Sequence, residues 1–223
     1  MASRRFVIGD VHGCSRTLRR LVEKGISLAG DDELYLLGDL IDRGPDSRGV
    51  LDFIFELRAK GFGVTSVKGN HEEMCLRAGD DLRFLEMWMI NGGHATLASF
   101  DAEGTEAIPY RYRFFLGSLP YYILLDDFII VHASLNFDSS DPFNDTEAMI
   151  WQRECDVDLE RTGGRRLVSG HTPVTRRQSK SSLKSARIMI DNGCVFAGRS
   201  GLGSLAALEL NTMSLTFQVN IDH

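Results

Sequence analysis

Cysteine is scarce in this 223-residue sequence, and the four present (Cys14, Cys75, Cys155 and Cys194) lie far apart. No Cys-x-x-Cys pair is available for zinc or redox chemistry. A chain of this length buries enough surface to hold a core without disulfide staples, so the thiols are expected to be free. Apolar runs fall well short of the roughly 20 residues that a bilayer span needs. Basic excess is absent too: Asp and Glu outnumber Lys and Arg by 31 to 25, for a formal charge of −6. That balance gives no global pull toward nucleic acid or an anionic membrane, and neither is expected as a partner. Near the start, Phe6, Val7 and Ile8 are followed at once by Gly9-Asp10, too short a run for a signal-peptide core, so the expected compartment is the cytoplasm. Internal repeats and low-complexity linkers are also missing, so residues 1–223 are expected to form one domain.

What is present alternates strand and helix signals. Arg5–Ile8 reads as a short buried strand ended by Gly9. A helix is expected from Ser15, taken as its N-cap, with Leu18, Leu21 and Val22 on one face and Gly25 beyond its end. Leu34–Leu37 is a second strand, Ser47–Lys60 a helix striped by Val50, Leu51, Ile54 and Leu57, and Val64–Val67 a third strand. This order implies parallel pairing with right-handed crossovers. From about 73 to 120 the periodicity turns helical, read as a small helical insertion over one edge or mouth of the sheet. Tyr122–Leu125 and Phe128–Val131 flank Asp126-Asp127 as a hairpin, and a short helix is expected at Thr146–Trp151. Strand candidates then follow at Arg166–Val168, Arg187–Ile190, Leu205–Leu210 and Ser214–Val219, with Asn211-Thr212 as the last turn. The expected fold is α/β: a central two-sheet β-sandwich of mixed sheets flanked by helices.

The chemistry gathers immediately after the strands. The first delivers Gly9-Asp10-Val11-His12-Gly13, the second Gly38-Asp39 through Asp42-Arg43-Gly44, and the third Gly69-Asn70-His71-Glu72. Later strands deliver His132-Ala133 and Gly170-His171-Thr172. In open α/β sheets the carboxyl ends of the strands converge on the ligand crevice, so these groups should meet there. Any one of the motifs alone reads as a loop, a helix cap or a core histidine. Their conjunction at every strand end reads as a metal site. Carboxylate, amide and imidazole donors without thiolate suit Mn²⁺, Fe or Zn²⁺. One metal needs three or four protein ligands, whereas a two-metal site with a bridging carboxylate uses all six of Asp10, His12, Asp39, Asn70, His132 and His171.

The three glycine-flanked blocks resemble the signature blocks of the phosphoprotein phosphatases, serine/threonine phosphatases within the calcineurin-like metallophosphoesterases. The resemblance extends to His132, Trp151-Gln152-Arg153 and Gly170-His171-Thr172, and Asn91-Gly92-Gly93 is similar to the bacterial and phage-type branch. It implies two divalent metal ions, Mn²⁺ by preference, with Fe, Zn²⁺ or Mg²⁺ as alternatives. Asp10, His12 and Asp39 would hold the first, and Asp39 would bridge to the second, completed by Asn70, His132 and His171. Arg43 and Arg153, with Asn70, would grip the phosphate. His71 would protonate the leaving alkoxide, oriented and kept cationic by Asp42. Ala133-Ser134 and Asn192 depart from the family pattern without touching a proposed ligand.

The implied reaction is hydrolysis of phosphoserine and phosphothreonine in protein or peptide substrates, by in-line attack of a metal-activated water. A dinucleoside polyphosphate hydrolase of the same superfamily, cutting diadenosine tetraphosphate, is the alternative. Bacterial enzymes of that kind, as the resemblance implies, tend to lack an acid at the position of Asp42, because a nucleotide leaves more easily than an alkoxide. A non-catalytic metal-binding scaffold is the outside alternative, and no assigned position is missing to support it. Arg176, Arg177, Lys180, Lys184 and Arg187 form a basic, serine-rich stretch, expected as a solvated loop. Met87, Trp88 and Met89 are expected in the core of the insertion.

Overall fold

The apolar residues of the strands alternate, and the two faces they create bury against different neighbours. A computed structural model describes residues 3–222 of the chain. The strands are, in order, β1 Arg5–Ile8, β2 Glu33–Leu36, β3 Gly63–Ser66, β4 Tyr122–Leu124, β5 Phe128–Val131, β6 Arg166–Ser169, β7 Arg187–Met189, β8 Ser204–Glu209 and β9 Ser214–Val219. One sheet has the order β3-β2-β1-β8-β9, the other β4-β5-β6-β7. β1, β2 and β3 pair in parallel, whereas β8 and β9 add antiparallel neighbours. In the second sheet β4 and β5 form the antiparallel hairpin, and β5, β6 and β7 run parallel. Both sheets are therefore mixed, as expected.

Val7, Tyr35, Ala206 and Leu208 from one sheet meet Phe128, Ile130, Val168 and Ile188 from the other, forming the layer between the sheets. The opposite faces turn outward to helices. Phe6, Ile8, Leu34 and Leu36 pack under α1 (Ser15–Arg20, continued by a π-helical turn over Leu21–Gly25) and α2 (Ser47–Ala59). Ile129, Val131 and Leu167 pack with Met149 of α7 (Thr146–Trp151). Between β3 and β4 lie α3 (Asn70–Arg77), α4 (Leu82–Ile90), α5 (Gly93–Phe100) and α6 (Tyr110–Gly117). Trp88, Phe100, Tyr112 and Phe115 of these helices join the same core as α2. Among the described residues, no helix is long and apolar enough to cross a membrane.

Some local expectations differ from the structure. Cys14, not Ser15, occupies the N-cap position of α1, because the Ser15 hydroxyl donates to Asp46 Oδ2 at 2.6 Å. β2 and β3 are each shifted one residue earlier than expected, although Leu37 and Val67 remain buried. The basic stretch is not a loop: it contains α8, Arg176–Ser182. Thr175 caps that helix by accepting from Gln178 N–H, and the Gln178 side chain accepts in return from Thr175 N–H. Ser179 and Ser182 face inward, which the abundance of serine concealed.

Candidate metal centre

The carboxyl ends of β1, β2, β3, β5, β6 and β7 open on one crevice, and tight turns there aim the side chains. His12, Asp39, Asp42, Arg43 and His171 all adopt positive φ, from 46° to 72°. Such a backbone costs an L-residue about 1–2 kcal/mol, so the surrounding packing must hold five strained site residues in place. Two glycines permit the close approach. A Cβ on Gly69 would lie 2.2 Å from Asp39 Oδ1, and one on Gly170 would lie 2.0 Å from Asp10 Oδ1.

Asp39 stands at the centre. Its Oδ2 is 3.4 Å from His12 Nε2 and 3.9 Å from His71 Nε2, and its Oδ1 is 3.4 Å from His132 Nε2. Two triads of possible ligands thus share it: His12, Asp39 and His71, and Asp39, His132 and His171. Asn70 Oδ1 lies 3.1 Å from both His132 Nε2 and His171 Nδ1. Asp10 stands outside both triads. Its Oδ2 accepts from His171 N–H at 2.9 Å, and its Oδ1 is buried without a partner.

These groups fit divalent cations. His12 Nδ1 donates to Ile41 O at 3.0 Å and His132 Nδ1 to Leu37 O at 2.7 Å, which leaves each Nε2 lone pair facing inward. Lone pairs of His132, Asn70 and Asp39 then confront one another in a buried pocket with few protons to share. His171 Nδ1 joins them, 3.2 Å from His132 Nε2 and 3.1 Å from Asn70 Oδ1. A cluster of converging acceptors out of water is unfavourable unless a cation joins it. Hard carboxylate and amide oxygens with borderline imidazole nitrogens suit a first-row divalent metal.

The electrostatics follow the same geometry. Burial opposes ionisation of Asp39, but His132, His71, His12 and His171 reverse that and hold its pKa far below the usual range. Burial, reinforced by Asp191 and Asp39, pushes Asp10 well up. Asp191, delivered by the end of β7, is raised to about 7 by burial and by Asp39. Burial lowers His12 and His132 and brings His171 to about 3, keeping these rings neutral as ligands must be.

His71 differs from the other histidines. Its Nδ1 is 2.7 Å from Asp42 Oδ2. Burial works against the cation, but the charge of Asp39 and the hydrogen bond to Asp42 outweigh it, and the His71 pKa rises. Asp42 is itself fully buried and accepts from Trp88 Nε1 at 2.8 Å and Thr96 Oγ1 at 2.6 Å. Both donors belong to the helices between β3 and β4. Glu72 braces the turn after β2, its carboxylate accepting 2.8 Å hydrogen bonds from the backbone N–H groups of Asp39, Leu40 and Gly69. Burial and the nearby Asp39 raise the Glu72 pKa to about 7.

The two arginines are placed differently. Arg43 Nη1 donates to His12 Nε2 at 2.8 Å, and its guanidinium lies 5.7 Å from the centre of the Phe196 ring. Arg153 is exposed at the rim beyond α7, where its charge reaches His171 and Asp191. Trp151 meets the His171 ring edge-on at 6.2 Å. Trp88 and Thr96 are neighbours of the site that sequence reasoning missed, and Asp191, part of a segment similar to the family's, carries no role in that reading. Trp88 reads as core and is indeed buried, but nothing local shows that its indole N–H serves Asp42.

The family model for calcineurin-like phosphoesterases matches residues 3–187, and the chain belongs to that family. Serine/threonine-protein phosphatase 1 of Salmonella typhimurium is 30% identical over 206 residues, 90% of this chain and 91% of that protein, which supports the phosphoprotein-phosphatase-type branch. The asymmetrical bis(5'-nucleosyl)-tetraphosphatase PrpE of Geobacillus thermodenitrificans is 29% identical over 238 residues, with 94% and 92% covered. Among solved structures, a provisionally assigned diadenosine tetraphosphatase superposes with a TM-score of 0.72 at 22% identity, covering 100% of this chain and 96% of that one. The chain is thus a phosphoesterase hydrolase with residue clusters able to bind metal.

Proposed function

We propose that this protein is a metal-dependent phosphomonoester hydrolase that removes phosphate from serine and threonine in phosphoprotein or phosphopeptide substrates. Asp10, His12 and Asp39 would hold one divalent cation, and Asp39, Asn70, His132 and His171 a second, with Mn²⁺ the preferred metal. When bound, such a pair offsets phosphate charge and acidifies water for in-line attack. Arg43 and Arg153, with Asn70, bind the phosphoryl oxygens, and a guanidinium suits that task because its planar fork donates two parallel hydrogen bonds. Glu72 fixes the backbone on which Asp39 rides. His71 gives its Nε2 proton to the departing alkoxide.

The observation that carries this reading is the buried Asp42–His71 pair, 2.7 Å apart, with Trp88 Nε1 donating to both oxygens of the carboxylate and Thr96 Oγ1 to the one His71 does not touch. Such a pair keeps an imidazolium charged out of water, and that proton matters most when the leaving group is strongly basic. A serine or threonine alkoxide is such a group; a nucleotide phosphate is not.

The second reading is hydrolysis of dinucleoside polyphosphates, favoured by the near full-length similarity to the Geobacillus tetraphosphatase. Hydrolysis of a phosphothreonine peptide, diadenosine tetraphosphate and p-nitrophenyl phosphate with added Mn²⁺, measured side by side, separates the two. The expected result is a kcat/KM for the peptide at least about tenfold above that for the dinucleotide, a difference of roughly 1.4 kcal/mol in transition-state stabilisation. The reverse order assigns the site to dinucleoside polyphosphates.

A further inference from the structure

We propose that α8 and the groove beneath it form a docking surface for an acidic segment displaced along the chain from the phosphorylated residue of a protein substrate. The inference rests on the phosphatase reading and names the substrate class more closely. The protein as a whole is acidic, with a formal charge of −6, yet four of its six Lys and Arg residues after His171 gather on one exposed face. Arg177 and Lys180 lie one turn apart on α8 and Lys184 follows in the turn beyond it, and together with Arg176 and Ser181 they line one shallow pocket that contains no carboxylate. Arg176 is engaged, donating to Ser204 Oγ at 2.5 Å with its guanidinium 5.2 Å from the centre of the Phe217 ring. Arg177, Lys180 and Lys184 pair with no carboxylate among the described residues, in contrast to Arg4, Arg5 and Arg19.

This face adjoins the segment that carries Arg153. A second groove, about 690 Å³, begins at Arg153, passes Gln178 and reaches Ser181, which it shares with the basic pocket. Arg153 marks the end nearer the metal centre, since it follows α7, whose last residue Trp151 meets the His171 ring edge-on at 6.2 Å. Glu154 and Asp156 line the groove near that end, so acidic residues directly beside the phosphate are disfavoured. Acidic residues farther out meet only cations. α8 has seven residues, roughly 10 Å of helix, which about three residues of extended peptide span. The basic face therefore accommodates about three consecutive acidic residues, set beyond the stretch that faces Glu154 and Asp156.

The test uses phosphothreonine peptides of equal length: one neutral, one with aspartates three to five residues after the phosphothreonine, one with them as far before it. One displaced-acid peptide should exceed the neutral one in kcat/KM by about tenfold, the scale of two or three half-exposed ion pairs. The advantage should act through KM and fade near 1 M salt, where the Debye length is about 3 Å. Combining Arg177→Glu, Lys180→Glu and Lys184→Glu should reverse the order; the glutamine versions should abolish the preference, and circular dichroism checks that each variant folds. Equal values for all peptides in the native protein, or an unchanged preference in both variants, overturn the proposal. Anisotropy of the fluorescein-labelled, unphosphorylated peptides separates the two failures. Charge-dependent binding without turnover sinks the phosphatase reading alone, and turnover without charge dependence sinks the docking surface alone. Tighter binding of a single-stranded RNA of matching charge than of the acidic peptide overturns the assignment of this face to peptides.

Discussion

Replacing Asp42 by asparagine keeps the shape of the side chain and removes its charge. In the native fold His71 Nδ1, Trp88 Nε1 and Thr96 Oγ1 all surround the carboxylate as donors, at 2.7, 2.8 and 2.6 Å. An amide NH2 in its place must face at least one of them. A buried donor left unpaired costs about 1–3 kcal/mol, which is the loss in stability expected from urea denaturation. The larger effect falls on His71, whose proton Asp42 holds. A hydrogen bond to a charged group is worth about 1.5–3 kcal/mol, so protonation of a departing alkoxide should slow roughly 10- to 150-fold. The assay compares kcat for a phosphothreonine peptide with kcat for p-nitrophenyl phosphate, whose phenolate leaves with little help from a proton. Asp42→Asn should depress the peptide reaction by that factor and the aryl ester far less. The sign of the pH effect follows: Asp42 raises the His71 pKa, so its loss should move the alkaline limb of the peptide profile to lower pH. Equal losses on both substrates, or none on the peptide, would refute the proton-donor role of His71.

Trp88→Phe should keep the packing of the insertion but remove one donor to Asp42; the peptide-to-aryl ratio of kcat should fall several-fold, roughly the effect of about 1 kcal/mol, and an unchanged ratio would contradict the clamp. Glu72→Gln sets an amide against backbone N–H donors and should cost about 1–3 kcal/mol in chemical denaturation; unaltered stability would mean the brace is dispensable. Gly69→Ala pushes a methyl to within 2.2 Å of Asp39 Oδ1 and should weaken Mn²⁺ binding by about 10- to 100-fold in calorimetric titration, whereas Gly117→Ala, which meets open space, should not. Metal binding should release protons and strengthen as the pH rises through about 7, because burial leaves Asp10 and Asp191 protonated well above the usual carboxylate range. Titrations in buffers of differing ionisation enthalpy measure that release, and identical heats in all of them would contradict it.

The strands and the residues at their ends are legible because the signals are local. A short apolar run fixes each strand, and the glycine after it marks a turn where the backbone must approach another segment. The parallel order then brings Asp10, Asp39 and Asn70 to one end of a sheet, and the same rule applied to β5 and β6 adds His132 and His171. What local signals cannot carry is partnership across the fold. Trp88 and Thr96 lie 46 and 54 residues from Asp42, and on their own helices they read as core and as an ordinary threonine. Asp191 sits in a segment similar to the family's, but its burial beside the site depends on where the end of β7 falls in the fold. α8 escapes for another reason: serine and arginine give no apolar stripe, and its capping through Thr175 and Gln178 is visible only once the inward serines are placed. Arg43 is drawn to the site by its motif, but its hydrogen bond to His12 depends on the left-handed turn that carries it.

Anomalous diffraction from crystals soaked in manganese tests the paired-cation site most directly. Two peaks about 3.5–4 Å apart should appear, with Asp39 between them, Asp10 and His12 on one side and Asn70, His132 and His171 on the other. A single peak, or peaks that leave Asp39 uncoordinated, would contradict the shared-carboxylate centre.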